Sequence, residues 1–409
     1  MPQPKAIVVQ LGARRQYAVP YALARTQSLE MLYTDFCMGV GLGRFAPLLQ
    51  LVPFFRRTDL SRRHIDPPVR ELTRTFPRWM IDMQIALRVF SDQEARLRAV
   101  DRAHEAAGRS MVKAGFGKAT HIVSMFGEGR KFLVEARNRG LTVATDMNIA
   151  LSTEAIVQNE QRKFPDWEQK PLYFGETGHN ARSVRRASDI ILGSTDIFLC
   201  PSEFVKNDLI ENFGVAEKRT RLVPYSVHPR WFNVQNVPEF GRILFVGNAD
   251  LRKGIHILAD AATLLRSRGK KYSFIVAGTV SDSVRGRDET RHLTFIGKCG
   301  SDRLIKEYSR ADVFVLPSLA EGSAGVTYEA LGAGLPVVTT FESGSIVRHG
   351  HEGFVVPAGN AEGLADMVEA LVEDRAMRSR MAAAARARAQ SFDWGDFSIR
   401  LNNALFGRG

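Results

Sequence analysis

Short apolar runs alternate with amphipathic stretches along most of the chain. The first, AIVVQLG (Ala6–Gly12), reads as a strand, followed by a turn and a helix from about Val19. A long basic region broken by Pro47, Pro53, Pro67 and Pro68 reads as irregular. Helical spacing returns over Trp79–Ala107. HIVSMF (His121–Phe126) is then a strand, GEG (Gly127–Gly129) a loop, and RKFLVEARNRG a helix closed by Gly140. LTVATDM (Leu141–Met147) is the next strand. ASDIILGS (Ala187–Ser194) and DIFLCPSEFVKNDLIENFG (Asp196–Gly214) predict a strand or strands, then a helix capped at Ser202 and ended by Gly214. One more short strand in TRLVPYSVHP (Thr220–Pro229) runs into a linker over residues 227–239.

The second half repeats this rhythm. RILFVGN, YSFIVAG, LTFIG, DVFVLPS, PVVTT and EGFVVP are strand patterns separated by helices or loops. Short strands rich in valine and isoleucine, alternating with helices, imply parallel sheets covered on both faces. At 409 residues the chain is too long for one ordinary core. The predicted fold is α/β, with two doubly wound Rossmann-like domains facing across a cleft. Residues 1–228 form the first domain and 229–390 the second, and a helix in 391–409 is expected to pack back on the first. Ligands of such sheets bind beyond the carboxyl ends of the strands, so the cleft is the expected site.

Composition is that of an ordinary globular protein, 44% hydrophobic and 24% charged. No run reaches the roughly 18 apolar residues of a membrane span. Cys37, Cys200 and Cys299 are far apart, without metal-ligand spacing, which suits reduced thiols. With no signal-peptide pattern at the start, the expectation is a cytoplasmic protein. The net charge of +12 is concentrated in part between Arg44 and Arg78, where eight arginines meet three acids beside the apolar FAPLLQLVPFF (Phe45–Phe55). That juxtaposition predicts either a peripheral contact with anionic membrane or a core helix with a solvated end. A nucleic-acid partner is not expected, since no zinc-finger, aromatic RNA-binding or recognition-helix pattern accompanies the charge.

Absent motifs narrow the chemistry. No G-x-G-x-x-G follows the first strand, and each Gly-Lys pair lacks the Ser or Thr of a P-loop. There is no G-x-S-x-G, no H-E-x-x-H and no Asp-x-Asp, so no metal ligand is predicted and any phosphate must be held by protein groups. LPSLAEGSAGVTYEALGAGLPVVTT (Leu316–Thr340) offers such groups. A strand runs into Gly322, Ser323, Ala324 and Gly325, and a helix starts at about Gly325 and ends near Gly334. A helix start with so little side-chain cover presents backbone N–H groups and a positive dipole end to a diphosphate. Glu321 stands before that start and Glu329 about one turn inside. Each carboxylate can accept from paired sugar hydroxyls, or Glu321 can simply complement the dipole. Lys253, in the loop after another strand, can reach a phosphate or stand as an exposed loop lysine beside Arg252. In the first domain, the glycines Gly12 and Gly127 follow strands and face the same cleft, where small residues permit close approach, and the strand-end Asp146 either contacts a ligand there or caps its loop.

FVGNADLRKG (Phe245–Gly254), ADVFVLPSLAEGSAGVTYEALGAGLPVVTT (Ala311–Thr340), GSIVRHGHEGFVVP (Gly344–Pro357) and a closing SFDW resemble the retaining, nucleotide-sugar-dependent glycosyltransferases of family 4, with the GT-B fold. The resemblance implies that Glu329 binds the donor ribose and Glu321 the donor sugar. It further implies that the amides around Gly322, Ser323, Ala324, Gly325 and Val326 hold sugar and diphosphate, that Lys253 holds the phosphates, and that Gly297 begins the base-binding loop. The chemistry implied is transfer of a hexose from a nucleoside-diphosphate sugar to a glycan, lipid-linked or small-molecule acceptor held by the first domain. The resemblance implies that no cofactor or metal takes part and that catalysis is by same-face attack, with the departing diphosphate taking the acceptor proton. Two positions depart from the family pattern: Asn248 stands where an arginine is common, and no histidine lies between His121 and His179. Alternatives on the same architecture are a nucleotide-sugar epimerase or hydrolase, and a non-catalytic nucleotide-sugar-binding protein.

Overall fold

The computed structural model describes residues 3–45, 63–89, 93–168 and 189–407. Two parallel sheets carry the architecture. The first holds β1 (Ala6–Val9), β2 (Leu29–Thr34), β3 (Thr73–Thr75), β4 (His121–Met125), β5 (Thr142–Asp146), β6 (Ile197–Cys200) and β7 (Thr220–Leu222), in the order β3-β2-β1-β4-β5-β6-β7. The second holds β8 (Arg242–Val246), β9 (Ser273–Ala277), β10 (Leu293–Gly297), β11 (Val313–Leu316), β12 (Val337–Thr340) and β13 (Gly353–Val356), in the order β10-β9-β8-β11-β12-β13. Every residue of β11 and β12 is buried, with no inside-outside alternation, because helices cover both faces. Each large apolar side chain fully buried there, such as Phe314, contributes about 1.5–3 kcal/mol.

Both sheets reverse strand order at a single point, between β1 and β4 in the first and between β8 and β11 in the second. Loops diverge there and leave a crevice at the carboxyl ends of the strands. The chain crosses between the sheets twice, and the crossings touch where the Val227 N–H donates to the Phe392 carbonyl at 2.8 Å. The last helix, Trp394–Phe406, buries Phe397, Leu401 and Leu405 in the first domain's core against the helix Ala18–Arg25. This last helix thus returns across the first domain.

The helical spacing over Trp79–Ala107 falls on two helices, Pro77–Val89 and Gln93–Ala114. Two local expectations need correction. Residues 189–194 of ASDIILGS are helical, so only Ile197–Cys200 is a strand here. An apolar triplet carries no period that separates a buried helix turn from a strand. The basic region read as irregular contributes β3, which pairs with β2. Most of its apolar core, residues 46–62, lies outside the described residues. The Ser202 cap is present, its hydroxyl accepting from the Val205 N–H, and Gly214 takes the left-handed conformation that closes the turn.

Candidate active site

In the second domain, the loops after β8 and β11 are drawn together at Gly254. Its φ is 71°, and a Cβ there would stand 2.0 Å from the Pro317 carbonyl oxygen, so only glycine allows the approach. The loop before it is held by the Lys253 N–H donating to Asp250 Oδ1 at 2.9 Å. This brings Arg252 and Lys253 to the Glu321 carboxylate. Lys253 Nζ lies 2.6 Å from Glu321 Oε1, and the Arg252 guanidinium donates to the same oxygen. Arg252 also donates to the Ala320 carbonyl at 3.2 Å. Burial works against the Arg252 charge, but Glu321 and Asp250 outweigh it and hold the guanidinium pKa above its ordinary value. Asn248, where the family resemblance leads one to expect an arginine, is held by the Thr279 hydroxyl at 2.6 Å. Arg252 is therefore the guanidinium that points inward.

The helix Gly325–Gly332 begins after Ala324 without a side-chain cap. Its approach loop is partly committed: the Ala324 N–H donates to the Ser343 carbonyl at 2.9 Å, and the Ser323 hydroxyl donates to the Gly344 carbonyl at 2.7 Å. Gly325 faces open space. Glu329, one turn on, accepts from the Tyr308 hydroxyl at 3.1 Å, yet burial still raises its carboxyl to about 7. Val326 packs nearby, its carbonyl accepting from the same hydroxyl at 3.2 Å.

The first domain faces this with a charged cluster on the loops after β1, β2, β4 and β5. The Gly12 N–H donates to Asp35 Oδ1 at 2.9 Å, and the Leu11 N–H to Glu128 Oε2 at 2.6 Å. Arg63 pairs with Asp35 at 2.7 Å, and Arg14 approaches Glu128 at 3.5 Å. The amide of Gly12 is thereby taken by a carboxylate. Burial raises the Glu128 carboxyl to about 8 despite these partners. Arg15, Gln16 and Tyr17 form three consecutive left-handed residues, with φ of 47°, 50° and 59°. That conformation is costly without glycine and persists only where surrounding contacts impose it. Arg15 is imposed on by an ion pair with buried Asp146 and by the Tyr225 ring, whose centroid lies 4.2 Å from its guanidinium carbon.

Arg15, Tyr225, Arg230, Tyr328, Glu329 and Trp394 line one pocket of about 170 Å³, drawn from both halves of the chain. The domains also touch at Gly322. A Cβ on Gly322 would stand 2.0 Å from the Asn148 carbonyl oxygen, and the Ser202 hydroxyl donates to the Gly322 carbonyl at 2.5 Å. The structure thus gathers Glu321, Lys253 and Gly322 near the interdomain edge, with Gly325 and Glu329 at the pocket and Asp146 joined to it through Arg15. Gly12, Gly127 and Gly297 do not line that pocket; Gly127 and Gly297, with φ of 87° and 74°, serve as loop turns. Sequence reasoning passed over Arg15, Glu128, Tyr225 and Tyr308. The signal for Glu128 was present, since it stands between two glycines in the loop directly after a strand. Among the described residues no group of three or more metal-ligating side chains converges.

Residues 229–388 match the family model described as glycosyl transferases group 1. Among curated relatives, the sulfoquinovosyl transferase SQD2 of Arabidopsis thaliana is 26% identical over 311 residues, covering 70% of this chain and 58% of that protein. The chain thus spans little more than half the length of the curated relatives it matches, a glycogen synthase of Mycobacterium tuberculosis being covered to 56%. Among solved structures, HepE of Anabaena in complex with UDP and glucose superposes with a TM-score of 0.60 at 15% identity, over 98% of this chain and 99% of that one. Sucrose-phosphate synthase of Thermosynechococcus elongatus gives 0.60 at 17% identity, over 98% of each chain. At such identities the structural likeness speaks for the fold. The chain therefore has the GT-B fold, with residues 229–388 matching the glycosyl transferases group 1 model across its second domain.

Proposed function

We propose that the protein is a retaining glycosyltransferase that moves a hexose from a nucleoside-diphosphate sugar to an acceptor held by the first domain. The observation that carries this reading is the placement of Arg252, Lys253 and Glu321 beside an uncapped helix start, with Glu329 one turn behind in a pocket shared by both domains. Cations and free amides at one helix start suit a diphosphate. The two carboxylates suit hydroxyl groups on either side of it: Glu321 those of the sugar, Glu329 those of the ribose.

In the reaction, the bond from the sugar's anomeric carbon to the diphosphate oxygen breaks and a bond to the acceptor oxygen forms on the same face. The acceptor proton passes to the departing diphosphate, and Lys253, Arg252 and the helix start stabilise the charge that develops there. No metal is required by this scheme. The basic stretch from Arg44 to Arg78 would bring the protein to anionic lipid if the acceptor is lipid-linked.

The test is calorimetry with UDP, GDP and ADP, followed by their hexose conjugates. One nucleotide should bind, and its conjugate should be consumed in the presence of an acceptor with the anomeric configuration kept, as read by NMR. Absence of binding by all three would sink the reading. Rapid consumption without acceptor would replace it with hydrolysis or epimerisation.

A further inference from the structure

A continuous first-domain segment, residues 146–168, grips the second domain at two separate places. At its start, the Asn148 and Ile149 backbone packs so closely on Gly322 that a Cβ there would stand 2.0 and 2.9 Å from Asn148 O and Ile149 N. At its end, beyond the helix Thr153–Lys163, Trp167 is 4% exposed and belongs to the second domain's hydrophobic core. Arg287 of the second domain lies 4.8 Å over the Trp167 ring and donates to the Asp166 carbonyl at 3.1 Å. Glu160 pairs with buried His256 at 2.9 Å, and Phe164 packs 4.6 Å from that imidazole. An indole and a carboxylate–imidazole hydrogen bond buried across a domain boundary make a specific attachment, since interdomain contacts are ordinarily more polar and looser.

The end of this segment reaches the proposed donor loop directly. Glu168 Oε1 accepts from the Leu251 N–H at 2.6 Å, while Gln161 holds the other carboxylate oxygen at 3.1 Å. Leu251 immediately precedes Arg252 and Lys253, and Gly322 immediately follows Glu321. The backbones on both sides of the Lys253–Glu321 ion pair are therefore anchored on one first-domain segment.

We propose that Glu168 is a positioning residue, holding the Leu251 amide so that Arg252 and Lys253 are kept in register with Glu321, and that segment 146–168 is the brace through which the first domain organises the second domain's diphosphate-binding loop. The assignment of that loop to a diphosphate rests on the function proposed above; the brace itself does not. A carboxylate accepting a backbone N–H makes a hydrogen bond stronger than a neutral one, and its loss frees the loop while leaving the strands beneath it paired.

Hydrogen exchange on the full chain tests the brace without any ligand. In Glu168→Ala, overlapping peptides that isolate residue 251 should exchange about tenfold faster, the factor expected for losing one charged hydrogen bond. Peptides of β11 and β12 should be unchanged. Glu168→Gln, whose side-chain oxygen can still accept, should retain most of the protection. Titration with UDP, GDP or ADP, whichever binds the wild type, should show about five- to tenfold weaker binding for Glu168→Ala. In turnover, kcat/KM for the donor should fall by at least the same factor in Glu168→Ala, and Glu168→Gln should retain most of it. Unchanged exchange at residue 251, or a uniform rise throughout the second domain, would overturn the proposal. If no nucleotide binds the wild type, the reading of function fails and the exchange result still decides the brace.

Discussion

Lys253 Nζ lies 2.6 Å from Glu321 Oε1, and Arg252 donates to that same oxygen. The groups proposed for phosphate and for sugar thus neutralise one another in the folded protein. A diphosphate must compete with Glu321 for both cations. Lys253→Ala should weaken nucleoside-diphosphate binding about 10- to 100-fold, the range for one charge-assisted hydrogen bond. Glu321→Gln should leave diphosphate binding as tight or a few-fold tighter, because it releases both cations, while sugar transfer falls by at least about 100-fold. Calorimetry with the nucleotide and a transfer assay separate the two effects; loss of nucleotide affinity in Glu321→Gln would contradict them.

Glu329 should make stability depend on pH in a direction opposite to that of a salt-bridged acid. Its folded carboxyl is raised to about 7 from an ordinary 4.5. Between those values the folded chain keeps a proton that the unfolded chain has lost, so stability falls as pH rises through the window and levels off above it. Glu128, raised to about 8, acts with the same sign and extends the window upward. Thermal melts from pH 5 to 8 should show Glu329→Gln and Glu128→Gln gaining on the wild type as pH rises. A constant difference in Tm across that range would show that these carboxyls are not perturbed.

At the domain boundary, Gly322→Ala should separate the domains without unfolding either. The added Cβ meets Asn148 backbone at 2.0 and 2.4 Å, which neither side chain rotation nor small adjustment can relieve. Small-angle scattering should report an increased radius of gyration, and circular dichroism an unchanged helix and strand content. An unchanged scattering profile would mean that the contact yields locally instead.

Arg15→Ala should cost about 2–4 kcal/mol, since it leaves the carboxylate of Asp146, 4% exposed, without its partner. The double variant Arg15→Ala/Asp146→Asn should be less destabilised than the single one. Denaturant melts of the four-member cycle measure this directly; additivity would mean that the pair is not coupled.

Much of the fold was legible because parallel sheets buried on both faces write themselves as valine and isoleucine runs, as in DVFVLP and PVVTT. The misread segments lacked such a signal. IIL in residues 190–192 fits a buried helix turn as well as a strand, and β3, reading Thr-Arg-Thr, owes its existence to backbone pairing with β2 and not to apolar content. In the candidate site, the helix start between Glu321 and Glu329 was legible from the local pattern, and Lys253 was marked by its place in the loop after another strand; the structure brings it to Glu321. The sequence left Asp146 between a cleft contact and a loop cap, because its partner, Arg15, lies far away in sequence and reaches it only through an unusual left-handed turn.

By itself the sequence determined the two sheets, the helix start between two carboxylates and the lysine loop, because local periodicity and short-range spacing are enough to specify strands, helices and turns. Only the tertiary structure decided which charges neutralise each other, which amides are already taken and which first-domain residues hold the second domain. Those outcomes depend on burial and on contacts between segments remote in the chain, such as Glu168 with Leu251 and Asn148 with Gly322, and no local pattern encodes them.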